Sequence, residues 1–432
     1  MRQPVLVVSS DTHVGPRVNQ LRPHCPQDLL EDFDAFARGL PEDGLATGGR
    51  AVAGNSEEAM RAYERYMLPD YRWSAQAPGH NDVHARLVDM DRDGVACEVV
   101  FHGSINGEVM PFADPASVRA GLDLPKVGAG MQMYNRWLAD FCSVSPERHV
   151  GLCQVPMWDI EASTAEVVWA HDHGLRGVNF PAPNLALGIP PYQDPRWEPF
   201  FATCAERNMV LNTHIGGGET SIVAGYTGVP AMAAYMIENP WLGRRAIWLL
   251  TFNGTFERHP GLKLVLTELP GTWWGLTVSD MDAAYFNHRA GLIRETLAKK
   301  PSEYVASNIF MGASFQSRQE AEMAVDGGFD DRLMWGSDYP HPEGTWMFTE
   351  NRDDPSLTQL SMANTFHDLS ESSIRKMCGE NAVGCYDLDA VALSGIAERI
   401  GPDLHDLQTE PDLSLVPESY HGSGFRTIGA LA

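Results

Sequence analysis

The sequence predicts a closed (β/α)8 barrel, the TIM-barrel class, with a long insertion after strand 1 and a helical C-terminal extension. Two observations lead there. Eight short apolar stretches have strand character: residues 5–10, 95–101, 150–155, 176–180, 209–213, 262–267, 308–312 and 332–337. The chain between them has helical spacing, and strands alternating with helices pair in parallel. Eight such units suit a closed barrel. The competing layout is an open doubly wound sheet, but no Gly-x-Gly-x-x-Gly turn follows the first strand to favour it.

The elements follow in order. Val5-Leu6-Val7-Val8-Ser9-Ser10 reads as a buried strand and runs directly into Asp11-Thr12-His13. Residues 14–80, rich in Gly, Pro and acid, form an insertion that is either a surface excursion or a lid over the barrel mouth. Val83, Leu87 and Met90 fall at i, i+4, i+7 before the second strand. Trp197, Phe200, Phe201 and Cys204 repeat that pattern before the fifth, after a Pro195 suited to a first helical turn. From about Asp387 a helix-like stretch (391–400) leads into a Pro- and Gly-containing tail, expected to pack on the barrel exterior or on a neighbour. The division is therefore residues 1–388 for the barrel, insertion included, and 389–432 for the C-terminal helix and tail.

Composition narrows the function. Hydrophobic residues make up 44% and charged residues 21%, values of a globular chain that exclude wholesale disorder. A formal charge of −25 argues against nucleic acid or an anionic membrane as partner, since either needs a basic face. No stretch approaches the ~20 apolar residues of a membrane span, and the N-terminus lacks the basic start and apolar run of a signal peptide. The seven cysteines are scattered without a Cys-x-x-Cys pair, as expected of small core residues in a reduced, cytoplasmic protein. The partner expected is a small-molecule substrate; assembly as a homodimer is compatible with these features.

In a parallel barrel every strand's carboxyl end opens on one face, where active sites are built. Strand one delivers Asp11 and His13, an Asp-x-His pair whose side chains share a side. Strand two delivers His102. Strand five ends at His214, with Gly216-Gly217-Gly218 behind it, and strand six ends at Glu268. Strand eight, Leu333-Met334-Trp335-Gly336, leads to Asp338, with His341 in the loop beyond. Strands three, four and seven end in Pro156, Pro181 and Ala313-Ser314, which offer no ligand. A buried carboxylate needs a partner or a metal. Asp11, His13, His214 and Asp338 therefore read as one metal-binding group. Glu268 is either a further ligand or the cap of the helix beginning near Thr272. His341 is a proton shuttle or a turn histidine. His102 reads as structural rather than as a ligand. Trp273, Trp274, Trp335, Trp346, Met347 and Phe348 cluster near the ends of strands six and eight, and either line an apolar pocket or fill the core. His102, Trp273 and Trp346 are the substrate-contact candidates.

This layout resembles the amidohydrolase superfamily, in particular the branch that includes aminocarboxymuconate-semialdehyde and gamma-resorcylate decarboxylases. The resemblance is carried by Ser10-Asp11-Thr12-His13, Arg176-Gly177-Val178, Asp194-Pro195-Arg196-Trp197 and Thr213-His214-Ile215-Gly216. It continues through His259-Pro260-Gly261-Leu262-Lys263, Trp335-Gly336-Ser337-Asp338-Tyr339-Pro340-His341 and Gly379-Glu380-Asn381-Ala382-Val383. It implies a divalent metal held by Asp11, His13, His214 and Asp338. Two positions depart from the superfamily's pattern: Asp11 replaces the first histidine of a His-x-His pair, and Glu268 stands where many members carry a histidine. The ligand set is thereby rich in carboxylate. Zinc is the expected ion, iron and manganese also favour such a mixture, and a bridging Glu268 admits one or two ions.

Two chemistries follow: hydrolysis, with Asp338 taking the proton of a metal-bound water, or non-oxidative decarboxylation, with His341 as shuttle. The substrate is a small carboxylate- or carbonyl-bearing, cyclic or aromatic molecule. The alternatives are an oxygen-dependent di-iron hydroxylase and a metal-stabilised binding protein.

Overall fold

Eight strands make one parallel sheet in sequence order. They are β1 (Val8–Val14), β2 (Cys97–His102), β3 (His149–Cys153), β4 (Gly177–Asn179), β5 (Val210–His214), β6 (Leu264–Thr267), β7 (Ile309–Ser314) and β8 (Leu333–Gly336). This computed structural model describes residues 2–40, 61–103 apart from 62, 63, 66 and 67, 110–113, 123–180, 188–215, 226–269 apart from 227, 271–346 and 354–426. Beyond β8 the chain returns to β1. Thr12 bridges Tyr339 in the parallel sense, the Asp338 N–H donates to the Asp11 carbonyl at 2.9 Å, and the His13 N–H donates to the Tyr339 carbonyl at 2.7 Å. The predicted (β/α)8 barrel is the fold.

The near-continuous apolar runs of the strands have a physical reason. Alternate residues face opposite sides, and both sides are buried. Val99, Val150, Leu152, Val210, Val265, Phe310 and Met334 meet in one inner cluster. Val100, Val178, Leu211, Leu266 and Trp335 pack outward in the cluster that includes the helices. Trp335 and Trp274 are therefore core residues, the commoner fate of such side chains.

β1 departs from expectation, beginning and ending later than residues 5–10. Its pairing with β2 slips between Ser9 and Thr12. A bulge reverses the alternation locally. Val8 faces the interior, and after the slip Asp11 and His13 face it too, from within the strand rather than beyond its end. Close approach of β8 completes this corner. A Cβ on Gly336 would meet the Cβ of Asp11 at 3.0 Å, so any side chain there would press on the strand that carries Asp11.

The helices obey their signals. Asp82 caps the helix Val83–Asp93 by accepting from the N–H groups of His84 and Ala85. Asp194 caps a 3-10 turn, Pro195–Trp197, that runs into the helix Glu198–Glu206, and Trp197, Phe200, Phe201 and Cys204 are all buried.

The insertion after β1 carries helices at Val18–Leu21, Leu30–Gly39 and Leu68–Ser74; residues 41–60 lie outside the described part. Its returning end packs at the mouth. The Ser74 hydroxyl donates to the Pro340 carbonyl at 2.5 Å, and Ala77 is buried with Tyr339 and Trp346.

At the other end, Leu393 of the helix Ala390–Ile400 joins the inner cluster from below. The tail then climbs the barrel exterior. The Tyr420 hydroxyl donates to the Gly344 carbonyl at 2.9 Å, and Arg426 donates to the Phe315 carbonyl at 2.5 Å. All seven cysteines are free, six of them buried. No helix among the described residues is long and apolar enough to cross a membrane.

Candidate metal centre

Four strand ends bring their polar side chains to one point. His13 Nε2 lies 3.3 Å from Asp11 Oδ1 and 3.0 Å from Asp338 Oδ1. His214 Nε2 lies 3.5 Å from Asp11 Oδ1 and 3.6 Å from Glu268 Oε2. His341 Nδ1 lies 2.9 Å from Asp338 Oδ1, and its ring stacks on that of His13 with centroids 4.0 Å apart. Asp11, His13, Asp338 and His341 are all at least 97% buried.

Backbone carbonyls fix the orientation of the histidines. His13 Nδ1 faces the His102 carbonyl at 3.3 Å, and His214 Nδ1 faces the Ile215 carbonyl at 2.7 Å. A carbonyl only accepts, so each Nδ1 carries the proton and each Nε2 turns toward the carboxylates. The Ser314 hydroxyl donates to Asp11 Oδ2. Apart from these close contacts within the cluster, Asp11 Oδ1, His13 Nε2, His214 Nε2 and both oxygens of Asp338 are buried with no hydrogen bond of ordinary geometry. Convergent orphaned acceptors fit a cation, and an outer contact that fixes each imidazole is what metal-ligating histidines have.

The electrostatics have the same sense. Burial alone would raise Asp11, but the His214 and His13 imidazoles outweigh it and hold the carboxyl well below the usual range. Burial would lower His214, but Asp11 and Glu268 raise it to about 9; Asp338 and Glu343 likewise raise the buried His341 to about 10. Burial, with Asp338 and Asp11 nearby, pushes Glu268 well above its ordinary value. The cluster is short of positive charge.

Backbone geometry marks the ends of β6, β7 and β8 on this face. Glu268, Phe315 and Asp338 have φ of 55°, 49° and 53°, in the left-handed region that non-glycine residues rarely occupy. Such residues gather at functional sites, where surrounding structure over-determines them.

Of the sequence-predicted residues, Asp11, His13, His214, Glu268, Asp338 and His341 come together. His102 sits at the end of β2, where its carbonyl holds His13 and its ring packs edge-on against Tyr134. Burial and the nearby His13 lower its imidazole to about 4, so it is neutral. Trp273 lies beyond β6 beneath the Arg244 guanidinium, and Trp346 lies beyond β8 against Tyr339. Gly216-Gly217-Gly218, Pro181, Met347 and Phe348 lie outside the described residues.

Two further residues belong to the cluster. Ser314, which offers no ligand itself, donates its hydroxyl to Asp11 and so orients it. Glu343 forms, with Glu268 and Asp338, a group whose carboxylate oxygens lie within 4.8 Å of one another. Its signal was its place five residues after Asp338, in the loop that also carries His341.

Residues 112–388 match the sequence profile described as amidohydrolase, more than half of the chain. The chain belongs to the amidohydrolase family. The match takes in His214, Glu268, Asp338 and His341, whereas Asp11 and His13 precede it and join through the fold. This amidohydrolase is 24% identical over 315 residues to a 2-amino-3-carboxymuconate-6-semialdehyde decarboxylase of Dictyostelium discoideum, covering 71% of this chain and 77% of that one. Its fold is similar to an amidohydrolase from Mycobacterium avium subsp. paratuberculosis K-10, with TM-score 0.61 and 16% identity over 89% of this chain and 100% of that one. It is also similar to a dihydroxybenzoic acid decarboxylase from Polaromonas sp. JS666, solved with manganese and the inhibitor 2-nitroresorcinol. There the TM-score is 0.54 and the identity 18%, over 90% and 99% of the two chains.

Glu268 offers a local test of this amidohydrolase's site. A ligand carboxylate supplies charge as well as shape, so Glu268→Gln is expected to lower bound metal per chain with little change in melting temperature. A helix cap would keep its hydrogen bond as the amide and leave metal content unchanged. Elemental analysis beside a melting curve separates the two.

Proposed function

We propose that this enzyme is a divalent-cation-dependent decarboxylase acting, without oxygen, on a small cyclic or aromatic carboxylate. The observation that carries the reading is the set of buried acceptors without hydrogen-bond partners on Asp11, His13, His214 and Asp338. The decarboxylases among its relatives support the reaction class. Asp11, His13, His214 and Asp338 would hold the cation, with Glu268 beside it. The oxygen-rich donor set suits manganese and iron as well as zinc. When bound, the cation supplies the positive charge that binds and polarises the substrate's oxygen substituents.

The chain's own residues do the rest. Asp338 is the proton donor to the ring carbon that bears the carboxylate, and His341, 2.9 Å away, returns a proton to it. As the new C–H bond forms, the bond to the carboxyl carbon breaks, its electron pair returns to the ring, and carbon dioxide leaves. His102, Trp273 and Trp346 border the substrate's space from the β2, β6 and β8 sides. The returning end of the 14–80 insertion covers it.

Protein loaded with Mn2+ and held under nitrogen with 2,6-dihydroxybenzoate and related hydroxybenzoates is expected to release one carbon dioxide per substrate consumed. Substrate bound or consumed with no carbon dioxide released would refute decarboxylation. The carboxylates of Glu268, Asp338 and Glu343 favour a second reading, a two-ion oxygen-dependent site. It requires about two irons per chain and oxygen uptake.

A further inference from the structure

The cluster uses the ends of β1, β5, β6 and β8. The ends of β3 and β4, between β2 and β5 in the ring, carry no charged group yet are built with comparable care. Val150 and Leu152 face the barrel interior, so the alternation of β3 turns Gln154, the residue after its last, toward the same side. Val178 of β4 packs outward, so its neighbour Asn179 faces inward.

These two amides are joined. Asn179 Nδ2 donates to Gln154 Oε1 at 3.2 Å. Behind them, Asn135 fixes the main chain of Gln154 from both sides. Its Oδ1 accepts from the Gln154 N–H at 2.8 Å, and its Nδ2 donates to the Gln154 carbonyl at 2.8 Å. Asn135 also donates to Glu166, which Arg136 neutralises, and Asn135 and Glu166 are both nearly fully buried. The outcome of this scaffolding is a single unused donor. Gln154 Nε2 is buried and has no hydrogen-bond partner.

A buried amide donor without an acceptor is left desolvated with nothing to offset it, and buried polar groups are usually satisfied. It faces a mouth whose titratable groups lie on other strands. We infer that Gln154, held by Asn179 and Asn135, is a substrate-binding residue that donates to an oxygen acceptor of the substrate: a carboxylate, phenolate or carbonyl oxygen on the part of the ring turned toward β3 and β4. Its amide is neutral, so it reads the position of an acceptor without adding charge. An acidic side chain there would repel the same oxygen. The inference rests on the decarboxylase reading for the class of substrate, but not on the metal assignment, because Gln154 belongs to none of the proposed ligands.

The test compares Mn2+-loaded parent, Gln154→Leu and Gln154→Glu for binding of 2,6-dihydroxybenzoate and 2-nitroresorcinol by calorimetry, with bound manganese and melting temperature measured alongside. The parent should bind. Gln154→Leu should bind on the order of 10- to 100-fold more weakly, the loss expected for one hydrogen bond to a charged acceptor. The near-isosteric Gln154→Glu should lose at least as much, with bound manganese unchanged in both variants. Should Gln154→Leu fail to fold, Gln154→Glu carries the comparison alone. Parent-like affinity in the folded variants would overturn the inference and leave the decarboxylase reading standing. A parent that binds neither compound and releases no carbon dioxide from 2,6-dihydroxybenzoate would instead overturn the reading beneath it, and the inference with it. Loss of affinity accompanied by loss of manganese would also overturn it, since Gln154 would then act through the cluster rather than on the substrate.

Discussion

His214→Ala is expected to lose stoichiometric metal and activity together. The imidazole is a neutral donor whose Nε2 lies 3.5 Å from Asp11 Oδ1 and 3.6 Å from Glu268 Oε2. Truncation deletes one donor and leaves two carboxylates facing each other across the gap. Altering a hydrogen-bond partner of a ligating histidine costs about 10–100-fold in metal affinity or activity, and removing the ligand itself should cost at least about 100-fold. His214 stands at a strand's end with its Nδ1 on a neighbouring carbonyl, so the barrel itself should survive. Full metal content in this variant, by elemental analysis, would rule out the assignment.

The second large effect lies behind the site. Arg86 and Glu98 form a buried pair with Nη2 and Oε2 2.7 Å apart, and Arg86 Nη1 also donates to the His13 carbonyl at 2.9 Å. His149 Nδ1 adds a contact to Glu98 at 2.9 Å. Arg86→Met strands a buried carboxylate and is expected to cost about 3–5 kcal/mol of stability. It also removes a support of the strand that carries Asp11 and His13. Adding Glu98→Gln to the variant should recover part of the loss, because the stranded charge is then gone.

Acid separates this pair from other causes of instability. Burial would raise Glu98, but Arg86 and His149 outweigh it and hold the carboxyl at about 2. The folded value lies below the unfolded one of about 4.3, so the pair's contribution is complete above that pH. It is lost as pH falls toward 2. Denaturation of parent and Arg86→Met should therefore differ most near neutrality and converge below about pH 4. A constant gap down to pH 2 would refute the pairing.

The barrel was legible because its strands are apolar on both faces and its helices carry unambiguous caps such as Asp82 and Asp194. Asp11, His13, His214, Glu268, Asp338 and His341 were legible because in a parallel barrel each follows or ends a strand, and strand ends meet. What escaped had a physical cause in each case. The bulge in β1 moved the strand later along the chain, and no periodicity announces a bulge. Ser314 looked inert because a hydroxyl signals nothing until a carboxylate lies beside it. Gln154 and Asn179 are neutral amides, and only their shared inward direction and the unused Nε2 set them apart. Glu98 reads as one acid in an apolar run; its partner Arg86 lies on the preceding helix, and sequence does not reveal that contact.

Anomalous diffraction from crystals of the manganese-loaded protein locates the ion. An anomalous peak is expected among Asp11 Oδ1, His13 Nε2, His214 Nε2 and the Asp338 carboxylate, at the manganese–ligand distances of about 2.0–2.3 Å found in related divalent sites. Manganese bound only elsewhere, with those four side chains hydrogen-bonded to one another, would contradict it.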